Sequence, residues 1–348
     1  MNGLRFAYRG LGASALLVFV ASCGSGTPSQ LAPLSQTVPA AAPLLHPATN
    51  PQWVLDRLAS RPEKRTTGRS RMSPAAKTSP LLYVANSGAS TVNVYSASSW
   101  NPLGELLGFA DPYTMCVDAA QDVYVVDFSA KLVREYAHGA IAPMRTLPDH
   151  QGTPVACAVE NKTGDLAISN FFGPSSSSGN VIVYKGAKGT PIEYASAGFS
   201  NYFFLAYDGD GNLFADGRNS SSTTLVAELP EGKSAFRAIS MNQAIGFPGA
   251  VAWDGEFLAV GDQLSSTIYQ FKVSKAKATV QGSTLLAGAV DVFQFWLTGS
   301  TSKHPQATGV VGADYGASAV DKWDYPAGGT ALKTITGLDG PEGAAVSQ

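Results

Sequence analysis

Charge is scarce in this 348-residue chain: Lys, Arg, Asp and Glu together make up 14% of it, where an ordinary soluble domain has about 25%. The shortage falls on the strong helix formers, and Ser, Thr, Gly, Tyr and Val fill their place, which excludes a helical bundle or coiled coil and points to strands and turns. An excess of one sign is missing too. With 24 basic and 26 acidic residues the net charge is -2, so the whole chain has no electrostatic footprint for nucleic acid. There are only three cysteines and four histidines, and no C-x-x-C, H-E-x-x-H, G-x-S-x-G or Walker loop, so no motif speaks for thiol redox, zinc hydrolysis, acyl transfer or nucleotide chemistry. His46, His138, His150 and His304 are scattered through an expected tether and expected loops, where a triad or zinc cluster would depend wholly on tertiary folding. The apolar run from Leu11 to Ala21 is too short to span a hydrocarbon core of about 30 Å.

That run belongs to an address. Residues 1–22 carry Arg5 and Arg9, no acid, the apolar stretch and then small residues before Cys23, which is the pattern of a secretion signal. Val20-Ala21-Ser22-Cys23 resembles the bacterial lipobox. The resemblance implies cleavage before Cys23, acylation of that cysteine and attachment to a membrane through several acyl chains together. Gly24 stands where an Asp would imply inner-membrane retention, so the resemblance implies an extracytoplasmic protein on the outer membrane of a diderm envelope. An ordinary secretory cleavage with Cys23 incidental is the alternative. Residues 23–79 are rich in Pro, Ala, Ser and Thr without a sustained apolar period and are expected to be a disordered tether. Between Arg57 and Lys77 basic residues outnumber acids, which would let this stretch lie on anionic head groups; a solvated linker is the simpler expectation.

Residues 80–348 form the expected folded domain. Short apolar or alternating runs recur about every 8–12 residues between Gly, Pro, Asn, Asp and Ser, the signature of an all-β fold. They are also self-similar. One run starts near a proline and ends at an acid six residues on: Pro112 to Asp118, Pro154 to Glu160, Pro248 to Asp254, with Tyr202 to Asp208 in register but lacking the proline. A second ends in Asn or Asp, at Asn86, Asp127, Asn170, Asp216, Asp262 and Asp314. Third and fourth runs follow each of these. Six four-strand units of about 45 residues predict a six-bladed β-propeller. The first unit begins at its second strand, so the segment Gly340–Val346 is expected to supply the missing one and close the ring, leaving no open sheet edge. An irregular strand pair hidden between Ala289 and Gln306 would make seven blades.

Tyr83-Val84-Ala85-Asn86-Ser87-Gly88, Asp122-Val123-Tyr124-Val125-Val126-Asp127 and Gly340-Pro341-Glu342-Gly343 resemble NHL-type and YVTN-type propeller repeats over about three quarters of the chain. The resemblance implies the fold and leaves function open, because such propellers serve as binding platforms, signalling ectodomains, lactonases and lyases.

The recurring Asn and Asp at the ends of the second runs read as Asx caps that bind the following backbone, since a catalytic site would break a sixfold repeat. Asp118, Glu160, Asp208 and Asp254 read the same way. Asp208-Gly209-Asp210-Gly211-Asn212 imitates the start of a calcium loop, but Leu213 and Asn219 occupy the positions that need Gly and Glu, so a hairpin turn is expected. Residues that break the repeat at the first-strand entrances, around the expected channel mouth, are better candidates. Tyr113, Phe199, Tyr202 and Phe247 are the candidate ligand-binding rings, able to stack on glycans or peptides or instead to pack between blades, as are Phe171, Phe172 and Phe203. Asp111, Asn201, Asp291 and Glu342 are the alternative: ligands for one divalent cation such as calcium, in a metal-dependent lactonase-like hydrolase or lyase as gluconolactonase-like propellers imply.

Cys116 and Cys157 lie on first strands of successive units. Their offsets from the closing acid differ by one, which would face them oppositely, so two buried free thiols are expected rather than a bridge. From residue 80 onward there are roughly 15 basic and 24 acidic residues, which disfavours nucleic acid as a partner of the folded part. The expected function is membrane-anchored binding or scaffolding without chemistry, with a glycan, a peptide or an envelope protein as partner and no cofactor.

Overall fold

The computed structural model describes residues 68–196, 198–300 and 306–348, apart from the Ser176 side chain. The signal segment, Cys23, the tether up to residue 67, His46 and His304 lie outside the described residues. Among the described residues no helix is long and apolar enough to cross a membrane.

Strands β1 (Arg71–Met72), β2 (Leu81–Asn86), β3 (Thr91–Ser96) and β4 (Pro102–Leu106) belong to a first sheet. A second contains β5 (Pro112–Val117), β6 (Val123–Asp127), β7 (Leu132–Tyr136) and β8 (Arg145–Pro148). The third contains β9 (Pro154–Val159), β10 (Leu166–Phe172), β11 (Ser178–Tyr184) and β12 (Ile192–Tyr194). Two further runs follow, β13 (Asn201–Tyr207), β14 (Leu213–Arg218), β15 (Thr224–Leu229) and β16 (Arg237–Met241), then β17 (Pro248–Trp253), β18 (Leu258–Asp262), β19 (Thr267–Ser274) and β20 (Lys277–Ala287). Parallel pairing of Ser240 with Lys277 and Met241 with Ala278 joins these two runs into one sheet of nine strands, counting β24 (Gly329–Thr330), which pairs with β20. The last four-stranded sheet holds β21 (Val292–Thr298), β22 (Gly309–Asp314), β23 (Ala319–Asp324) and β25 (Lys333–Thr336).

The final strand β26 (Pro341–Ser347) leaves that sheet and pairs antiparallel with β2, from Leu81 opposite Ser347 to Asn86 opposite Pro341. It completes the first sheet. The strands β26, β5, β9, β13, β17 and β21 neighbour one another in that order, and β21 returns against β26, so the small sheets stand in a ring around these inner strands.

Strand periodicity explains how the sheets pack. Successive side chains point to opposite faces, so Met115, Val123 and Val125 face the first sheet while Cys116, Tyr124 and Val126 face the third. This geometry corrects the expectation for the cysteines. Cys116 and Cys157 form a disulfide, with Cα atoms 5.7 Å apart. Two neighbouring sheets meet through opposite faces, so opposite facing is what a bridge between β5 and β9 requires; the parity of the offsets was informative and its consequence is the reverse of the one expected.

The folded part also begins before residue 80. Arg71 pairs with Glu105 and Met72 with Gly104, making β1 the outer strand of the first sheet, and Ala76 is fully buried. His138 ties this entry to the ring closure: its Nδ1 lies 2.6 Å from Ser347 Oγ and its Nε2 3.1 Å from the Ser79 carbonyl. Composition gave no hint, because a two-residue strand has no detectable period.

Candidate functional site

The starts of the inner strands define one end of the ring, the mouth. The six recurring Asx residues of the second strands sit there, and three of them show the same structural work. Asp127 accepts from the N–H groups of Ala110 and Asp111 at 3.1 and 2.9 Å. Asp262 does the same for Gly246 and Phe247, and Asp314 for Val290 and Asp291. The caps therefore hold the backbone entering the inner strand, rather than only the turn that follows. At the other end Asp118, Glu160, Asp208 and Asp254 hold their own turns: Asp208 Oδ1 accepts from Asp210 and Asn212, both at 2.9 Å. The calcium-loop imitation is thus a hairpin turn.

Asp216 departs from this scheme. A bulge in β13 lets one of its oxygens accept from Phe204 N–H at 2.7 Å and leaves Oδ2 buried with no partner. Burial pushes its carboxyl well above the usual carboxylate range, against the lowering effect of the backbone hydrogen bonds.

Below the mouth the channel is filled by rings. Phe293 of β21 meets Tyr113 of β5 and Phe204 of β13, each with centroids 5.0 Å apart and edge to face, and Tyr113 also meets Phe128 at 5.2 Å. Tyr113, Phe204 and Phe293 come from alternate inner strands, so they meet across the axis and close it. Phe204 and Phe293 gave no signal in the sequence beyond being aromatic.

The mouth itself is asymmetric. In four of the hairpins joining a second strand to a third, the second strand stops at its Asx residue: Asn86 opposite Thr91, Asp127 opposite Leu132, Asp262 opposite Thr267 and Asp314 opposite Ala319. In the other two it continues for two residues, Phe171-Phe172 after Asn170 and Gly217-Arg218 after Asp216. These raised hairpins are laced together. Gly179 N–H donates to the Ser200 carbonyl at 2.8 Å, Asn201 Nδ2 to the Phe171 carbonyl at 2.9 Å and Ser200 N–H to the Arg218 carbonyl at 2.8 Å. A line of rings runs along their base, Phe172 to Phe171, Phe171 to Phe203 and Phe203 to Phe247, ending with the Arg218 guanidinium 4.9 Å from the Phe247 centroid.

The four candidate rings are placed inside this packing. Tyr113 is in the channel plug, Phe247 lies under Arg218, and Phe199 stacks on Tyr202 at 4.6 Å, with Phe199 closely packed on Gly217. All four are buried. Burial pushes the Tyr202 hydroxyl up to about 12, although it accepts a hydrogen bond from Ser196 N–H. They shape the mouth from within rather than presenting their faces at it.

The four candidate cation ligands are not gathered into a set. Asp111, Asp291 and Glu342 stand at the starts of β5, β21 and β26, three consecutive inner strands, but Asn201 starts β13, opposite β26 in the ring. Ser129 Oγ lies 3.3 Å from Asp111 Oδ2, Ser87 Oγ donates to Glu342 Oε1 at 2.9 Å, and the Asn201 amide is committed to Phe171. No group of three or more His, Cys, Asp and Glu among the described residues is disposed to hold a metal ion. The sequence placed these residues at one end of the ring correctly but could not set their positions around it.

At the end opposite the mouth, a groove of about 250 Å³ lies between the third sheet and β13–β16, lined by Lys162, Asp165, Lys185, Tyr194, Tyr207 and Lys233 among others. Asp165 is paired with Lys185 at 2.6 Å, and Lys162 Nζ donates to the Gly209 carbonyl.

No family model matches the chain, and no curated protein matches it. Solved structures do. A chain from the crystal structure of a nidogen/laminin complex superposes with a TM-score of 0.63 at 13% identity, covering 77% of this chain and 98% of that one. The fold is a β-propeller-like ring. It is shared with 1055 matching chains, so it fixes an architecture and no activity. Within the ring, the pair of raised hairpins sets one side of the mouth apart from the rest.

Proposed function

We propose that the protein is a lipoprotein acylated at Cys23, held extracytoplasmically on the outer membrane, whose propeller binds an envelope protein through its mouth. Counting the nine-stranded sheet as two blades gives six, the number that the repeat of second strands implies. The observation that carries the reading is the raised, laced pair of hairpins. They break a repeat that is otherwise regular, and repeat-breaking loops on a rigid scaffold are where binding is built. The channel below is closed by rings, so a ligand meets the mouth rather than passing through. A propeller of similar fold occurs in a nidogen/laminin complex, which favours a protein partner over a glycan.

Two experiments test the reading. Labelled palmitate should enter the full chain and be lost in Cys23→Ser, with that variant released from the membrane fraction; an unlabelled wild-type chain removes the anchor. Replacing Ser220 and Ser221 at the tip with Lys, which leaves the Ser222 carbonyl over Arg218, should abolish co-purification of the partner obtained with the full chain while leaving the melting temperature nearly unchanged. Retained co-purification removes the raised hairpin as the binding surface.

A further inference from the structure

Arg218 is 8% exposed, and no carboxylate among the described residues pairs with it. The other buried ionic partners behave differently: Asp127 takes Arg134 at 2.5 Å and Glu228 takes Arg237 at 2.6 Å. Arg218 spends two of its donors on one neutral oxygen, with Nε and Nη2 at 2.9 and 2.5 Å from the Ser222 carbonyl. Its Nη1 is buried without a hydrogen-bond partner. Burial lowers its pKa, with no neighbouring charge acting in the opposite direction.

One more unsatisfied atom faces it, and another lies on the β18–β19 hairpin. Thr224, opposite Arg218 in the β14–β15 register, has a buried Oγ1 with no partner. Gln263 donates its backbone N–H to the carbonyl of Phe247, the residue whose ring lies under the guanidinium, and its Nε2 to the Pro248 carbonyl, while its Oε1 is unpartnered. Buried polar atoms are nearly always satisfied, and a buried cation without an anion is costly. Two such atoms opposite each other on the β14–β15 hairpin, one of them on a cation, therefore call for an external group. The cover over them is slight: in the Asn219–Thr223 tip Ser220, Ser221 and Thr223 are exposed and Ser222 is half-buried, and its backbone is held by Asn219 Oδ1 accepting from Ser221 and Thr223 N–H at 3.0 and 2.9 Å.

We infer that Arg218 is the receptor for a carboxylate carried by the partner, bound in place of the Ser222 carbonyl, with Thr224 Oγ1 donating to the same group. A carboxylate offers two acceptors to the guanidinium fork where Ser222 offers one, and supplies the missing charge. The inference rests on the proposed binding at the mouth and names the chemistry recognised there.

The test uses the full chain in detergent, with acetate, glutarate and inorganic phosphate each compared with chloride at matched ionic strength. Acetate and glutarate should raise the melting temperature in a saturable way, because a ligand specific to the native state stabilises it. Arg218→Gln should abolish the shift. Arg218→Lys, which keeps the charge but loses the fork, should weaken half-saturation about tenfold. Thr224→Val leaves the guanidinium in place, removes a hydroxyl that has no protein partner, and should also weaken binding, so the test holds even if Arg218→Gln fails to fold. No shift with either carboxylate, a shift with phosphate alone, or an undiminished response in Arg218→Lys and Thr224→Val overturns the inference. These results do not depend on finding the partner, so they separate the failure of this site from the failure of the proposed function.

Discussion

Gln294 reaches from β21 across β26 and holds both main-chain groups of Met115 on β5, accepting from its N–H at 3.1 Å and donating to its carbonyl at 2.7 Å. Gly343 of β26 makes the passage possible. A Cβ there would stand 2.6 Å from the Tyr113 carbonyl oxygen and 2.9 Å from Gln294 Oε1. The closing strand is thus fastened twice, by its ladder with β2 and by a side chain from the sheet before it to the sheet after it.

Gln294→Ala leaves two buried backbone groups of Met115 without their partner, each costing about 1–3 kcal/mol. A loss of about 2–4 kcal/mol in chemical denaturation is expected. Gly343→Ala should lower stability as well, and combining the two should cost less than the sum, because they disrupt the same contact.

The Cys116–Cys157 bridge closes a loop with a sequence separation of 41. Reduction, or Cys116→Ser with Cys157→Ser, is expected to cost roughly 2–4 kcal/mol, and peptide mapping without reductant should recover the linked pair. Two free thiols in protein purified under oxidising conditions would remove the bridge.

Removing Phe293 opens the channel plug. Phe293→Ala should cost about 3–5 kcal/mol, while Phe293→Leu, which keeps most of the volume, should cost much less. Equal effects would mean that the ring does not pack across the axis.

The carboxyl of Asp216 gives a pH signature. Its folded pKa is raised by burial, so between the unfolded value of about 4 and the folded value the native state holds a proton that the unfolded chain has lost. Stability from this group is therefore fully present below about pH 4 and falls as pH rises through the folded pKa, by up to about 1.4 kcal/mol per pH unit. Asp216→Asn should remove this downward slope, and a wild-type difference that rises with pH instead would give the opposite sign.

Repetition made the architecture legible. Six second runs ending in Asn or Asp, and first runs ending at an acid, placed nearly every element because a repeated unit states its own boundaries. The same repetition marked Asp127 and Asp262 as structural, although it pointed to the following turn and the structure adds the backbone before the inner strand. Relations between units were not written locally. The facing of Cys116 and Cys157 needed the packing of two sheets, the plug of Tyr113, Phe204 and Phe293 needed the ring, and the separation of Asn201 from Glu342 needed positions around it. Arg218 was legible only as two residues beyond an expected strand end.

Photocrosslinking of the full chain on intact envelopes decides whether the raised hairpins are the binding surface. A photoreactive residue replaces Ser220 on the β14–β15 hairpin in one sample and Asp210 on the turn at the opposite end in the other. One discrete protein adduct is expected from position 220 and none from 210, with the adduct lost in Arg218→Gln. An adduct from 210 alone, or equal labelling from both positions, would contradict binding through the raised hairpins.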